Sequence, residues 1–436
     1  MNAEREEKRN NVKKNNAIEM YMLRKYIFAA VFIMLLFCFF GVNLYMNGVP
    51  IADQVEKAVE YYDRQDREGK NEILYWADLG SSIVSKCEGA VNDNLIFSKE
   101  LLWLNGFYAR LQGKHEINDF KYFKDSEGYM QYAAFYREED DNVFEYAARV
   151  RKLKDSVAAN DTKVIYVITP SKYTPGKTKL PAGTPINDPN PVTDELIMNL
   201  NRLGIDTLDL RNAGIFDWMT YEDAFFKTDH HWTIPAAFVC ANVLNNTLKQ
   251  RFDIDLDPDG ITLDMKNYRV EKYDNVMFGS MGRGSGLGFV DKEPFTAMWP
   301  KYECHFDRVS MRNVEGYEEH KYGDFTEALM HTDVFLNKDV YSDSYYSLYL
   351  NGLNYYDHIE NLDYPDRPKV LYIRDSYFSP VISFLAAGCG EIDAVWSLED
   401  TGLLDIGQVV SGDTYDLIVL ETYPYNINDE AFNYFR

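Results

Sequence analysis

The sequence predicts an α/β fold: a mostly parallel sheet with helices on both faces, tied to a membrane by one N-terminal helix. Three observations carry this. Residues Ile27 to Val42 (IFAAVFIMLLFCFFGV) hold no charge, and apolar character extends from Tyr26 to Met46. Three short runs rich in β-branched residues, KVIYVITPSK (163–172), KVLYIRDSY (369–377) and YDLIVLE (415–421), read as buried strands, the first two running straight into turns. Segments of helical spacing lie between them, and such alternation implies a parallel sheet covered on both sides.

The elements follow in chain order. Residues 1–25 form a short tail in which Lys and Arg outnumber Asp and Glu by seven to four. The apolar run, 26–46, is long enough to cross a bilayer as a helix of roughly 20 residues. It is bulky, with no small-residue cleavage site after it, so it reads as an uncleaved anchor. The positive-inside tendency puts the tail in the cytoplasm and the chain after about residue 47 outside. Residues 47–94 are expected to be a polar helical stalk, because charges fall on most faces. A single domain is expected over 95–436, with an insertion of strands and loops at about 250–345 that includes the glycine-rich stretch FGSMGRGSGLGF (278–289). Within the domain, VTDELIMNLNRLGI (192–205) predicts a helix opened by Thr193, DTLDLRN (206–212) a strand, and Pro235 to Leu248 a second helix. No internal repeat is visible.

Composition narrows the function. The chain carries a net charge of −24, which argues against binding nucleic acid or anionic lipid through its general field. Cys38 falls in the membrane segment, and Cys87, Cys240, Cys304 and Cys389 form no CxxC pair; Cys240 and Cys389 sit in apolar surroundings and read as core residues.

Chemistry concentrates at two places. In sheets of this kind working residues lie just past the carboxyl ends of strands. Arg374-Asp375-Ser376-Tyr377 makes such a turn, exposing a serine hydroxyl beside the amides that begin the next helix. The stretch KTDHHWT (227–233) sets Asp229, His230, His231 and Trp232 in a row. If extended, it projects Asp229 and His231 to one side, where His231 could take the proton of Ser376 and Asp229 could orient the imidazole. An Asp-x-His is equally at home in a polar turn, and a serine before a helix is commonly an N-cap. Two adjacent histidines could bind zinc, but three or four protein ligands are wanted and no further ones are at hand, so no metal is expected.

The combination of KTDHHWT, the glycine loop, YSLYLNGLNYYDHIEN (346–361) and VLYIRDSYFSPVISFL (370–385) resembles the DHHW family of bacterial surface proteins, which are similar to the SGNH-like domains of the alginate O-acetylation proteins AlgJ and AlgX. The resemblance covers roughly residues 95–436. It implies a flavodoxin-like SGNH fold with Ser376 as nucleophile, His231 as base, Asp229 as its partner, and His230 and Trp232 in support. Two departures stand out: Arg374 occupies the glycine position of the usual Gly-Asp-Ser, and the asparagine that completes the oxyanion hole has only Asn354 as a counterpart. Arg283, Lys172 and Tyr377 are candidates to line the site. The resemblance further implies an extracytoplasmic acetyl transfer, without a cofactor, onto a hydroxyl of a polysaccharide, the acetyl group coming from a multi-span membrane O-acyltransferase. The same triad would serve a carbohydrate acetylesterase, and the scaffold alone would serve a catalytically idle glycan-binding protein.

Overall fold

A computed structural model describes residues 19–39, 41–43, 45–46, 52, 55–56, 59, 79–84, 95–132, 142–212, 215–312, 318–336, 339–342, 344–397 and 405–435. The chain divides into two units, Met1–Leu101 and Leu102–Arg436. In the first, the helix Glu19–Asn43 is long and apolar enough to cross a membrane. The expected cytoplasmic tail lies largely, and the expected stalk mostly, outside the described residues.

The second unit is built on an eight-stranded sheet of order β5-β4-β13-β11-β12-β10-β8-β9. The strands are β4 (Lys163–Ile168), β5 (Asp206–Asp209), β8 (His305–Met311), β9 (Glu318–Asp324), β10 (Tyr356–Asn361), β11 (Lys369–Arg374), β12 (Glu391–Trp396) and β13 (Leu417–Thr422). From β5 through β12 every neighbouring pair is parallel. From β12 onward the ladder turns antiparallel through β10, β8 and β9. Two smaller sheets lie outside it: β1 (Glu116–Ile117), β2 (Tyr122–Lys124) and β3 (Met130–Tyr132), and the hairpin of β6 (Tyr268–Met277) with β7 (Glu293–Pro300).

The strands β4, β11 and β13 are apolar through their middles because both of their faces are covered. Ile165, Val167, Val370, Tyr372, Leu417 and Val419 join a core with the helices Ile234–Phe252 and Ser379–Ala386. Their alternates, Val164, Tyr166, Ile168, Leu371, Ile373, Ile418 and Leu420, pack with the helices Val143–Ser156 and Asn190–Arg202. Alternation of side chains along each strand produces the two layers. Cys240, Cys304 and Cys389 are buried free thiols within the first core.

Helix starts follow local chemistry. Thr233 caps Ile234–Phe252 by accepting from the Ala236 amide at 3.4 Å, and Pro235 occupies the first turn. Thr193 does not cap its helix. That helix begins at Asn190, with proline in its first turn where no donor is needed, and the buried Thr193 hydroxyl donates back to the Pro189 carbonyl at 2.7 Å.

One ionic cluster ties the two halves of the sheet together. Arg374, at the end of β11, reaches past β12 to Asp357 on β10, with Nη2 to Oδ2 at 3.1 Å. Arg308 on β8 holds the other carboxylate oxygen through Nε at 3.0 Å and Nη2 at 2.7 Å. All three side chains are buried. Arg374 at the glycine position of the motif is therefore a core tie. Removing the shared anion leaves two buried guanidiniums unpaired. Asp357→Ala is expected to destabilise the domain by about 3–5 kcal/mol, and Asp357→Asn, which keeps an acceptor, by less; urea unfolding of the detergent-solubilised chain measures both.

Candidate active site

The DHHW segment is a tight loop, closed where Phe225 bridges Trp232 and the Thr233 amide donates to the Ala224 carbonyl at 2.8 Å. Residues 228–231 form a bend, not the extended stretch that spacing suggested. Asp229 and His231 still meet, for a different reason. Asp229 Oδ1 accepts from the His231 amide at 3.0 Å, an Asx-type turn, and lies 2.6 Å from His231 Nδ1.

Distant elements hold this loop. Glu293, on β7, accepts from the amides of Lys227 and Thr228 and from the Thr228 hydroxyl, each at 2.6 Å. Lys172, just past β4, donates to the carbonyls of Lys227 at 3.0 Å and Asp229 at 2.8 Å. The glycine loop closes from the other side: the Gly279 amide donates to Thr228 Oγ1 and the Ser280 amide to Asp229 Oδ2, both at 2.8 Å. Gly279 has to be glycine. A Cβ there would lie 2.2 Å from Asp229 Cβ and 2.6 Å from its Cα.

Ser376 stands one turn past β11. Asp375 caps that turn, its Oδ1 accepting from the Tyr377 amide at 2.9 Å, while Oδ2 accepts from the Tyr423 amide at 2.8 Å and Asn426 Nδ2 at 2.9 Å. The Asp375 amide donates to Glu421 at 3.0 Å. Ser376 Oγ then lies 2.7 Å from His231 Nε2. The Tyr377 amide is thus spent on the cap, and the Phe378 amide donates to the Asp375 carbonyl at 3.3 Å. Both of these helix-start amides are thus engaged by Asp375 and stabilise the turn.

Aromatic side chains fix the imidazole. Tyr346 stacks on His231 with centroids 3.8 Å apart and planes 15° off parallel. Trp232 Nε1 donates to the Tyr346 hydroxyl at 3.1 Å and the Tyr377 carbonyl at 3.2 Å. The Tyr377 hydroxyl donates to the His230 carbonyl. His230 lies against His231, centroids 3.8 Å apart, with Nδ1 3.0 Å from Ser280 Oγ.

Electrostatics favour a neutral imidazole beside an anion. Burial opposes ionisation of Asp229, but the charge and hydrogen bonds of His231 and His230 hold its carboxyl well below the usual range. Burial, the His230 charge and Arg283 push His231 down to about 4, against the pull of Asp229. Burial lowers Lys172 to about 8, with the charges of Glu293 and Asp229 opposing the fall. Burial, with the Asp375 charge beside it, drives Glu421 well above the carboxylate range.

The remaining candidates take distinct places. Arg283 lies on the short helix Ser280–Ser285, close enough for its charge to act on His231, and its buried Nη1 has no hydrogen-bond partner among the described residues. Asn354 is fully buried and donates to the Leu350 carbonyl at 2.8 Å and to Asp357 at 2.9 Å, which joins it to the arginine cluster. Lys172 holds the loop from behind through two backbone carbonyls. The donor atoms of Asp229, His230 and His231 lie within 4.8 Å of one another, but the Nδ1 atoms are engaged by Asp229 and by Ser280. Ser280, Glu293 and Tyr346 are common residue types 49 or more positions from the histidines, and the sequence singles none of them out; the glycine run at 278–289 contains Ser280 and the stretch 346–361 opens on Tyr346, while Glu293 has no such signal.

Gly279→Ala is expected to push Asp229 off His231 and slow acylation of Ser376 by an activated acetyl ester by about 10²-fold, the scale of an ångström misplacement. Ser280→Ala keeps the backbone amide and should stay near wild type. Stopped-flow acylation rates compare the two.

Residues 128–277 match the family described as SGNH hydrolase-like domain, acetyltransferase AlgX, a stretch that includes Asp229 and His231 and ends before Ser376. No curated protein sequence matches the chain. Among solved structures, Bacillus cereus PatB1 with a sulfonyl adduct superimposes with a TM-score of 0.56 at 15% identity, covering 72% of this chain and 97% of that one. A second PatB1 structure gives 0.54 at 17% identity, over 71% and 98%. A DHHW family protein from Eubacterium siraeum gives 0.46 at 15% identity, over 68% and 90%. The chain thus carries an SGNH-like α/β fold, matched over residues 128–277 by the acetyltransferase AlgX family.

Proposed function

We propose that the chain is a membrane-anchored O-acetyltransferase that moves an acetyl group through Ser376 onto a hydroxyl of an extracytoplasmic polysaccharide. The observation that carries this reading is the unbroken relay of Asp229 to His231 at 2.6 Å and His231 to Ser376 at 2.7 Å. A working base must sit within about 3 Å of the proton it takes. The acetyltransferase family match supports the reaction class. The helix Glu19–Asn43 supports the anchor, with the seven-to-four excess of basic residues before it favouring a cytoplasmic N-terminus.

The cycle has two transfers. His231 Nε2 takes the Ser376 proton as Oγ attacks the acetyl carbonyl; the bond from Oγ to the acyl carbon forms, and the donor leaves with the proton. A sugar hydroxyl then attacks the acetyl-serine, giving its proton to His231, which returns it to Ser376 Oγ as the ester passes to the sugar. Asp229, anionic throughout, fixes the tautomer with Nε2 free and stabilises the imidazolium of each transition state. With the Tyr377 and Phe378 amides committed to Asp375, we assign Arg283 as the cation facing the developing oxyanion or the substrate. The donor is a multi-span membrane acyltransferase that carries the acetyl group across the bilayer, since the anchor keeps the domain beside such a protein.

Intact mass of the chain after exposure to p-nitrophenyl acetate is the direct test. A single acetyl adduct should form, and Ser376→Ala should abolish it. Discharge faster onto an oligosaccharide than onto water supports transfer, discharge to water alone supports an esterase, and absence of the adduct from folded protein removes the reading. The PatB1 structure with a sulfonyl adduct makes a sulfonyl fluoride a second probe of Ser376.

The pH dependence follows from the base. His231 must be neutral to accept a proton, and its downward shift keeps it neutral above about 4. Acylation is therefore expected to stay level from neutrality to about pH 5 and to be lost as pH falls through about 4. An ordinary histidine would lose half its capacity near 6.5, and an acid limb there would contradict the neutral, buried base.

A further inference from the structure

The helix Ser98–Leu111 (SKELLWLNGFYARL) is packed the wrong way round for a core helix. It buries Gly106 and Ala109 and leaves its large side chains outside. Trp103 is 45% exposed, Leu104 55%, Phe107 44%, Tyr108 59% and Leu111 71%. These positions fall on one side at helical spacing, opposite Gly106 and Ala109, and the Trp103 and Phe107 rings stack 5.1 Å apart in the open. The inner side is sealed. A Cβ on Gly288 would lie 2.0 Å from the Trp103 carbonyl oxygen and 2.4 Å from the Phe107 nitrogen, and one on Gly106 would lie 2.7 Å from the Phe289 nitrogen. The small face is thus used to bring the helix close to the glycine loop, and the large apolar face is left exposed by the described residues.

We infer that this face lies in the membrane interface, against zwitterionic lipid at the surface from which the N-terminal helix emerges. The inference rests on the reading of Glu19–Asn43 as a membrane span. At the end of that span the Asn43 side chain accepts from the Ile96 amide at 2.9 Å, and the aromatic helix starts two residues later at Ser98. It therefore begins where the span ends. Its composition suits that depth: tryptophan and tyrosine with leucine and phenylalanine are the side chains of an interfacial helix, which settles about 5–10 Å into the headgroup and acyl boundary. In a chain of net charge −24, this helix has one acid, Glu100, against Lys99 and Arg110. At 14 residues it would lie about 21 Å along the bilayer.

The test uses the full chain in phosphatidylcholine vesicles, with tryptophan emission read against lipids brominated near the headgroup or near the chain end. Headgroup-proximal bromine should quench more strongly than chain-end bromine, and Trp103→Phe should remove most of that quenching. Phe107→Asp, a change at an exposed position, should red-shift the Trp103 emission and weaken its quenching. A chain that resists alkaline extraction yet is quenched equally in wild type and Trp103→Phe overturns the inference, leaving the span intact. The face would then meet water, a second copy or a protein partner. A chain that washes off the vesicles overturns the span and the inference together. Acetylation of Ser376 by the activated ester reports separately on the proposed chemistry.

Discussion

The structure turns on one buried anion. Asp229 is almost entirely excluded from solvent, and an ionised carboxylate there is tolerable only if its oxygens are fully engaged. Its partners are the His231 ring, the His231 amide, the Ser280 amide and the His230 ring. Each of these imposes a further condition. The Ser280 amide arrives because Gly279 has no side chain. The loop keeps its curvature because Glu293 gathers two amides and a hydroxyl on one side while Lys172 takes two carbonyls on the other. Those two are themselves buried charges of opposite sign, each favouring the other's ionised form. Orientation of the imidazole is thus built on a small set of compensated charges, and removing one would expose the cost of the rest.

Ser376 is positioned from beneath by a second set. Asp375 organises the turn by accepting from Tyr377, Tyr423 and Asn426, and Arg374 before it is anchored across the sheet through Asp357 to Arg308. Ser376 therefore follows a central parallel strand whose last residue is tied past β12 to the antiparallel extension. His231 and Ser376 come from independently braced pieces, so their 2.7 Å separation reflects a preorganised arrangement, not a contact between two mobile loops.

The parallel core was legible in the sequence because β4, β11 and β13 are buried on both faces and so spell continuous apolar runs. The meeting of Asp229, His231 and Ser376 was suggested by a strand end and by an acid two residues from a histidine, but those local patterns are common, and it was the resemblance to the DHHW family that joined them. The antiparallel half was harder to read. β9, EEHKYGD, is an exposed edge strand, where charge replaces alternation, and β10, YDHIEN, spends an inward position on Asp357 for the arginine cluster. Thr193 misled because a cap pattern was present while proline opened the helix earlier. The loop geometry was hidden for a deeper reason: an Asx-type bend and an extended stretch can both bring residues i and i+2 together, and only tertiary partners such as Glu293 and Ser280 select between them.

The glycine-rich segment joins the two themes. One end, Gly279, lies against Asp229; the other, Gly288, lies against the backbone of the aromatic helix at Trp103 and Phe107. Both contacts are closer than any side chain would allow, so neither end can shift without carrying its neighbour along. Close packing of this kind transmits position well. The Asp229 loop and the aromatic helix are thereby linked through some ten residues of packed chain.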